Sequence, residues 1–356
     1  MHHVPRGTRR PGLPANGSGG RTVSIKDVAR EAGVSIATVS NALNRPELLS
    51  ASTRSRVQEA IDGLGYVRSE SARQLRAGHS RILGLLVLDM RNPFFVGLAH
   101  GAEQAARREG LGMMLCDSSQ DPGAEELYLS LFAEQRVRGV LVTPTDAVPG
   151  GLDSLRRNGI PYSYVDRTAE GADACSVSVD DVTGGALAVG HLLEQDHERI
   201  AYVSGPMTLA QCRDRRSGAW RACDEAAADR DAIVTVETAQ LDVASGRDAG
   251  SRVLGLRPRP SAVFCANDLL ALGVLQAMVA AGVRVPEDIA LVGYDDIDFA
   301  AAAAVPLTSV RQPAFRMGET ATELLLGEPA DAGTDHAHRH VVFEPELVVR
   351  RSSLTG

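Results

Sequence analysis

Two groups of residues in this chain have the types and spacing to do chemistry. Between Ser35 and Asn44 it offers serine, threonine and asparagine at helical spacing, without a charged residue. With Val39 set at the buried pole and 100° per residue, Ala42 and Leu43 join it. Ala37, Asn41 and Asn44 then fall toward the opposite face, with Thr38 and Ser40 flanking. Such a face suits a helix laid in a DNA major groove. There asparagine bonds adenine through two contacts, and Ile36 or Ala37 can touch a thymine methyl. A helical hairpin with a solvated polar face has the same pattern. The second group is Asp166, Asn267 with Asp268, and Asp295, each standing just past a short apolar run that reads as a strand. In open α/β sheets ligands bind at the carboxyl ends of strands, so these groups are placed to hydrogen-bond a small polar molecule. Aspartate there also serves as a turn former or helix cap.

Catalytic chemistry finds little support. No G-x-S-x-G elbow, P-loop or H-E-x-x-H occurs. His191 and His197 sit in helical context, and neighbouring acids such as Asp180-Asp181 and Asp295-Asp296 diverge on a turn. The 5 cysteines are odd in number and lack C-x-x-C spacing. Neither a disulfide framework nor a zinc site is expected, and a reduced cytosol fits. No cofactor is expected. No apolar run approaches the roughly 18 residues of a membrane span, and the N-terminus has no apolar signal core. The expected location is cytoplasmic, with no membrane partner.

These residues need elements to hold them. Residues 1–21, rich in Gly and Pro, read as a disordered tail. Residues 22–66 read as three short helices: Ile25 to Ala32, then Ser35 to Asn44, then one opening at Ser50 or Ser52 and ending near Gly63 or Gly65. Residues 67–81 read as a hinge and linker. From Ile82 the pattern alternates short apolar runs with amphipathic stretches of helical length, which argues for parallel sheets with flanking helices. The last segment, 82–350, is long enough for two lobes, one at about 82–180 and 311–330, the other at about 181–310 and 340–350. Charge divides the same way. Residues 1–80 hold 12 basic and 6 acidic side chains, against 37 and 45 in the whole chain. A basic head on an acidic body fits a polyanion-binding module joined to something with another task.

The stretch Val23 to Asn44 resembles the headpiece of the lac repressor (LacI/GalR) family of bacterial transcription regulators, on Asp27-Val28-Ala29, Ala32-Gly33-Val34-Ser35, Thr38-Val39-Ser40 and Leu43-Asn44. The similarity continues through Ser52-Thr53-Arg54, Leu64-Gly65-Tyr66 and the hinge Ser71 to Arg76. In the body it is carried by Asn92-Pro93-Phe94-Phe95, Val165-Asp166-Arg167, Cys265-Ala266-Asn267-Asp268 and Val292 to Asp296.

The resemblance implies a helix-turn-helix headpiece before a two-lobed body like a periplasmic binding protein. It implies that Ile36, Ala37 and Asn41 read bases and that Ser35, Thr38, Asn44, Ser50 and Thr53 hold phosphates. Many members have arginine where Asn41 stands, so the resemblance does not carry over an operator preference at that base pair. Leu75, beside Arg76, matches a hinge residue that wedges into the minor groove; read without the family, Leu75 is an anchor holding the linker to the body. Phe94, Phe95, Asp166, Arg216, Asn267, Asp268 and Asp295 are the expected effector residues. The expected partners are a pseudo-palindromic operator in double-stranded DNA, a sugar-like effector and a second copy of the chain. A solute-binding protein, or an enzyme modifying sugars or nucleosides on the same body, is the alternative.

Overall fold

The computed structural model describes residues 23–67, 79–145, 151–168, 174–328 and 337–354. It divides into two units, one up to Arg76 and one from Ala77.

The first unit holds helices α1 (Ile25–Glu31), α2 (Ile36–Asn44) and α3 (Ala51–Leu64). Each begins at a serine. The Asp27 carboxylate accepts from the Ser24 backbone N–H at 3.0 Å and its hydroxyl at 2.6 Å. Ser35 Oγ accepts from Thr38 N–H at 3.0 Å, and Ser50 Oγ from Thr53 N–H at 3.3 Å. Caps of this kind satisfy amide donors that a helix start leaves open. Gly33, at φ +63°, makes the turn between α1 and α2. Val28, Ala29, Ala32, Val39, Val57 and Ala60 form the core, with Ala42 and Leu43 packed on it. The buried stripe of α2 is thus the one its periodicity predicts.

The second unit contains two six-stranded sheets. The first runs through β1 (Ile82–Val87), β2 (Gly112–Asp117), β3 (Gly139–Val142), β4 (Tyr162–Val165), β5 (Cys175–Val179) and β11 (His340–Phe343), in spatial order β11-β5-β4-β3-β1-β2. The second runs through β6 (Ile200–Ser204), β7 (Ile233–Glu237), β8 (Ala262–Cys265), β9 (Ala290–Asp295), β10 (Thr308–Arg311) and β12 (Glu346–Val348), in order β12-β10-β9-β8-β6-β7. Every pairing is parallel except β10 with β12. Sheets of this kind are covered on both faces, so their strands read as continuous apolar runs. The helices covering the first sheet are α4 (Pro93–Arg108), α5 (Pro122–Glu134), α6 (Leu152–Arg157) and α12 (Ala314–Gly327). Those on the second are α7 (Asp181–Leu193), α8 (Ala210–Glu225), α9 (Val243–Gly255), α10 (Asp268–Ala280) and α11 (Asp298–Ala302).

The chain passes between the lobes three times: after β5, after β10 and between β11 and β12. The last passage corrects the expected assignment of 340–350 to the second lobe. His340 to Phe343 pairs in parallel with Ser176 to Val179 at the edge of the first sheet, and only from Glu346 does the chain join the second. Two short apolar runs separated by Glu344 and Pro345 give no sequence cue to which sheet each one joins.

Both sheets reverse strand order beside their first strand, between β1 and β3 in one and between β6 and β8 in the other. The crevice outside the carboxyl ends of such strands is the natural ligand position.

Candidate functional site

On α2, Ser35, Ile36, Ala37 and Asn44 are exposed and Thr38 and Asn41 half-buried. Ile36 leaves 45% of its surface open. Among the described residues the Asn41 amide has no hydrogen-bond partner, whereas Asn44 Nδ2 donates back to the Ser40 carbonyl at 2.7 Å. At the helix start Ser35 Oγ lies 2.9 Å from Thr38 Oγ1, and Ser50 Oγ 2.9 Å from Thr53 Oγ1. Each pair puts two hydroxyls beside the open amides of a helix N-terminus, a ready seat for a phosphate oxygen. Leu75 and Arg76 lie outside the described residues.

In the second unit a cleft opens between the lobes, with about 470 Å³ of empty space counted together with its mouth to solvent. Its first-lobe wall is Leu88, Asp89, Asn92, Phe94, Phe95, Gln120 and Asp166; its second-lobe wall includes Gln211, Arg215, Leu241, Asn267 and Asp295. Most of these follow the carboxyl end of a strand. Gln312 completes it where the chain leaves β10. Phe94 and Phe95 meet edge to face, with ring centroids 5.0 Å apart, and supply the apolar wall.

Two carboxylates bridge the lobes. Asp295 accepts from Asn92 Nδ2 of the first lobe at 2.8 Å and from Gln312 Nε2 at 2.7 Å. Asp166 accepts from Gln211 Nε2 of the second lobe at 2.9 Å. Both aspartates adopt left-handed backbone, φ +58° for Asp166 and +103° for Asp295, strain that tight sites often hold. Burial raises both carboxyls. For Asp166 it acts with the nearby Asp181 and takes the pKa to about 7; for Asp295, where Arg215, Asn92 and Gln312 oppose it, the pKa reaches about 6. Asp166 Oδ1, Gln312 Oε1 and Gln120 Oε1 are buried acceptors without a partner among the described residues.

Arg215 is the buried cation of the site. Its Nε donates to Asp181 at 2.8 Å, its Nη1 to the Ala266 carbonyl at 2.5 Å, and its guanidinium lies 3.7 Å from the centroid of the Tyr294 ring. Helices α7 and α8 come close enough for this because glycines meet: a Cβ on Gly185 would collide with the Arg215 carbonyl oxygen, and one on Gly218 with that of Val182.

Two expected effector residues lie elsewhere. Arg216 does not line the cavity; its guanidinium covers the Trp220 ring at 4.7 Å. One residue is 100° of helix, and the cavity-facing stripe of α8 runs through Gln211, Cys212 and Arg215. Asp268 is fully buried and does not line the cavity either. Its oxygens accept from Ser309 Oγ at 2.7 Å and Ile297 N–H at 2.9 Å, which ties β9, β10 and α10 together. Asn267 does line it, while capping α10 through Leu270 N–H at 2.9 Å. Phe94, Phe95, Asp166 and Asp295 converge on the cavity. The residue-level reading missed Asn92, Gln211, Arg215 and Gln312. Gln211 and Arg215, four apart on one helix face, carried a usable signal; Gln312 carried none.

Residues 24–69 match the bacterial regulatory proteins of the lacI family, and residues 189–353 a periplasmic binding protein-like domain. The HTH-type transcriptional repressor PurR of Photobacterium profundum is 35% identical over 335 residues, 92% of this chain and 98% of that protein. PurR of Vibrio atlanticus is 36% identical over 333 residues, 93% of this chain and 99% of the relative. The chain belongs to the lacI family. Among solved structures, a lac repressor dimer bound to operator and the anti-inducer ONPF superposes with a TM-score of 0.82 at 25% identity, covering 94% of this chain and 100% of that one. A complex of the transcriptional regulator CelR with cellobiose gives 0.69 at 31% identity, over 93% and 99%. This lacI-family chain is accordingly a DNA-binding transcriptional regulator with an effector-binding body, and not an enzyme. Among the described residues no helix is long and apolar enough to cross a membrane.

Proposed function

We propose that this regulator represses transcription in the cytoplasm as a homodimer on a pseudo-palindromic operator, and that a small, hydroxyl-rich, sugar-like molecule held between the lobes controls it. Two-fold symmetry in the protein calls for two-fold symmetry in the site it reads. Asn41, Ile36 and Ala37 read base edges; Ser35, Thr38, Asn44, Ser50 and Thr53 hold phosphates; Leu75, next to Arg76, wedges into the minor groove at the centre. In support, Asn41 has a free amide among the described residues, Ile36 is exposed, and the hydroxyl pairs stand at helix starts.

One observation carries the effector class. Asp166, Gln312 and Gln120 line the cavity, and each carries a buried oxygen that has no protein donor among the described residues. A buried acceptor left open costs about 1–3 kcal/mol, so the two glutamine oxygens favour a molecule that brings donors, while the Asp166 carboxyl, with a pKa of about 7, can accept or donate. Hydroxyls on a compact ring do this, while the ring's apolar face packs on Phe94. Cellobiose in the CelR complex is a ligand of that chemistry.

The reading is tested by calorimetry against panels of mono- and disaccharides, polyols and nucleobases, followed by gel shifts on operators selected from random duplexes. A hydroxyl-rich compound should bind and change operator affinity. Binding confined to planar bases would remove the sugar-like assignment, and a failure to select any duplex would remove the operator.

A further inference from the structure

A cluster outside the effector cavity joins three residues far apart in the chain. Cys175 opens β5, Glu328 follows the end of α12, and His338 precedes β11. Their donor atoms, a thiol sulfur, a carboxylate oxygen and an imidazole nitrogen, all lie within 4.8 Å of one another. His338 Nδ1 is 3.2 Å from Glu328 Oε1. Cys175 and Glu328 are buried, whereas the His338 side chain keeps 26% of its surface, leaving a way in from solvent.

We propose that Cys175, Glu328 and His338 form a binding site for a zinc-class divalent cation, with water in the fourth position. The donor set is the first reason. One sulfur, one nitrogen and one carboxylate oxygen suit zinc, while calcium and magnesium call for oxygen alone. Spacing is the second. A tetrahedral ion with bonds of about 2.0–2.3 Å needs donors roughly 3.3–3.7 Å apart. The His338–Glu328 separation is close to this, and the cluster as a whole has only a small distance to close. The surroundings of the sulfur are the third. The Arg339 backbone N–H donates to Cys175 Sγ at 3.2 Å. Such outer contacts orient and support a metal-bound thiolate. No C-x-x-C spacing announces the site, because β5, α12 and β11 bring its donors together from positions 175, 328 and 338. A bound ion would pin the short edge strand β11 and the end of α12 to β5.

The test uses the full-length protein, stripped with chelator and titrated with zinc chloride, then with cobalt chloride as a coloured substitute. Zinc should bind at one equivalent per chain with micromolar affinity or better. Cobalt should give a thiolate-to-metal charge-transfer band in the near ultraviolet. Cys175→Ser should abolish that band, and His338→Gln, at a partly exposed position that leaves the fold intact, should weaken binding by roughly 100-fold, the upper end of what loss of an outer partner alone costs. Histidine-only sites elsewhere bind cobalt without the band. The proposal fails if no zinc binds at 100 μM, or if the band persists unchanged in Cys175→Ser.

Discussion

Asn41 is the residue whose replacement best separates base reading from general attraction to DNA. A side chain that bonds a base edge contributes about 1–3 kcal/mol of discrimination at one position. Phosphate contacts weaken binding evenly and change its salt dependence. Asn41→Ala is therefore expected to relax preference at one symmetric pair of base pairs and to leave the salt slope unchanged in competition gel shifts. In the body, Asp166 permits an equally sharp experiment. Its carboxyl titrates near 7 when folded, against 3.8 for an ordinary aspartate. Between about pH 4 and 7 the folded protein holds more protons than the unfolded chain, so this residue's contribution to stability is lost as pH rises through that window. Asparagine accepts the same Gln211 bond and tolerates the left-handed backbone. Denaturant titrations of Asp166→Asn should match the parent near pH 4 and exceed it by a few kcal/mol at pH 8, while effector binding is lost. A parent-like pH profile would mean that the carboxyl ionises as freely folded as unfolded.

Helix α8 shows what was and was not readable before the structure. Its start at Ala210 carries no signal in the sequence, because Leu209 at the cap offers no side-chain capping bond. The headpiece helices, each opened by serine, were legible to within a residue or two. So were the apolar strands β1, β6 and β8. Strand β5 went unread because Ser176 and Ser178 alternate with valine yet are buried. Helix α12 went unread because Gly318 interrupts it, although that glycine is where α4 comes close: a Cβ there would collide with the Leu98 carbonyl oxygen. The acids of the site were visible as strand-end residues. The amides that bridge the lobes were not, since their partners are about 45 to 200 residues away. Close helix contact also governs Arg215. Gly218→Val forces α8 away from α7 and with it the Arg215–Asp181 pair, whose disruption in a buried setting costs about 3–5 kcal/mol. Thermal unfolding of the body should show this loss, accompanied by loss of effector binding. Operator contacts by the headpiece, probed in the same variant at low temperature, should persist.

Control of DNA by the effector is a linkage between two separate units, and linkage is reciprocal: whatever factor the effector applies to operator affinity, the operator must apply to effector affinity. A switch from 1:99 to 99:1 needs a preference of roughly 10⁴ for one state, about 5.5 kcal/mol. The inter-lobe bonds, Asn92 to Asp295 and Gln211 to Asp166, are where that preference can originate, because the same carboxylates face the ligand and hold the opposite lobe. A ligand that competes for or reinforces these bonds changes the lobe arrangement; one that touches neither cannot, however tightly it binds. Gln211→Leu keeps the helix and the apolar volume but removes the donor to Asp166. Its expected effect is a several-fold smaller ratio between operator affinities measured with and without effector, an equally smaller ratio between effector affinities with and without operator, and unchanged base preference. Unequal changes in the two ratios would show that the variant alters something other than coupling, and an undiminished ratio would locate the switch away from the Asp166 bridge.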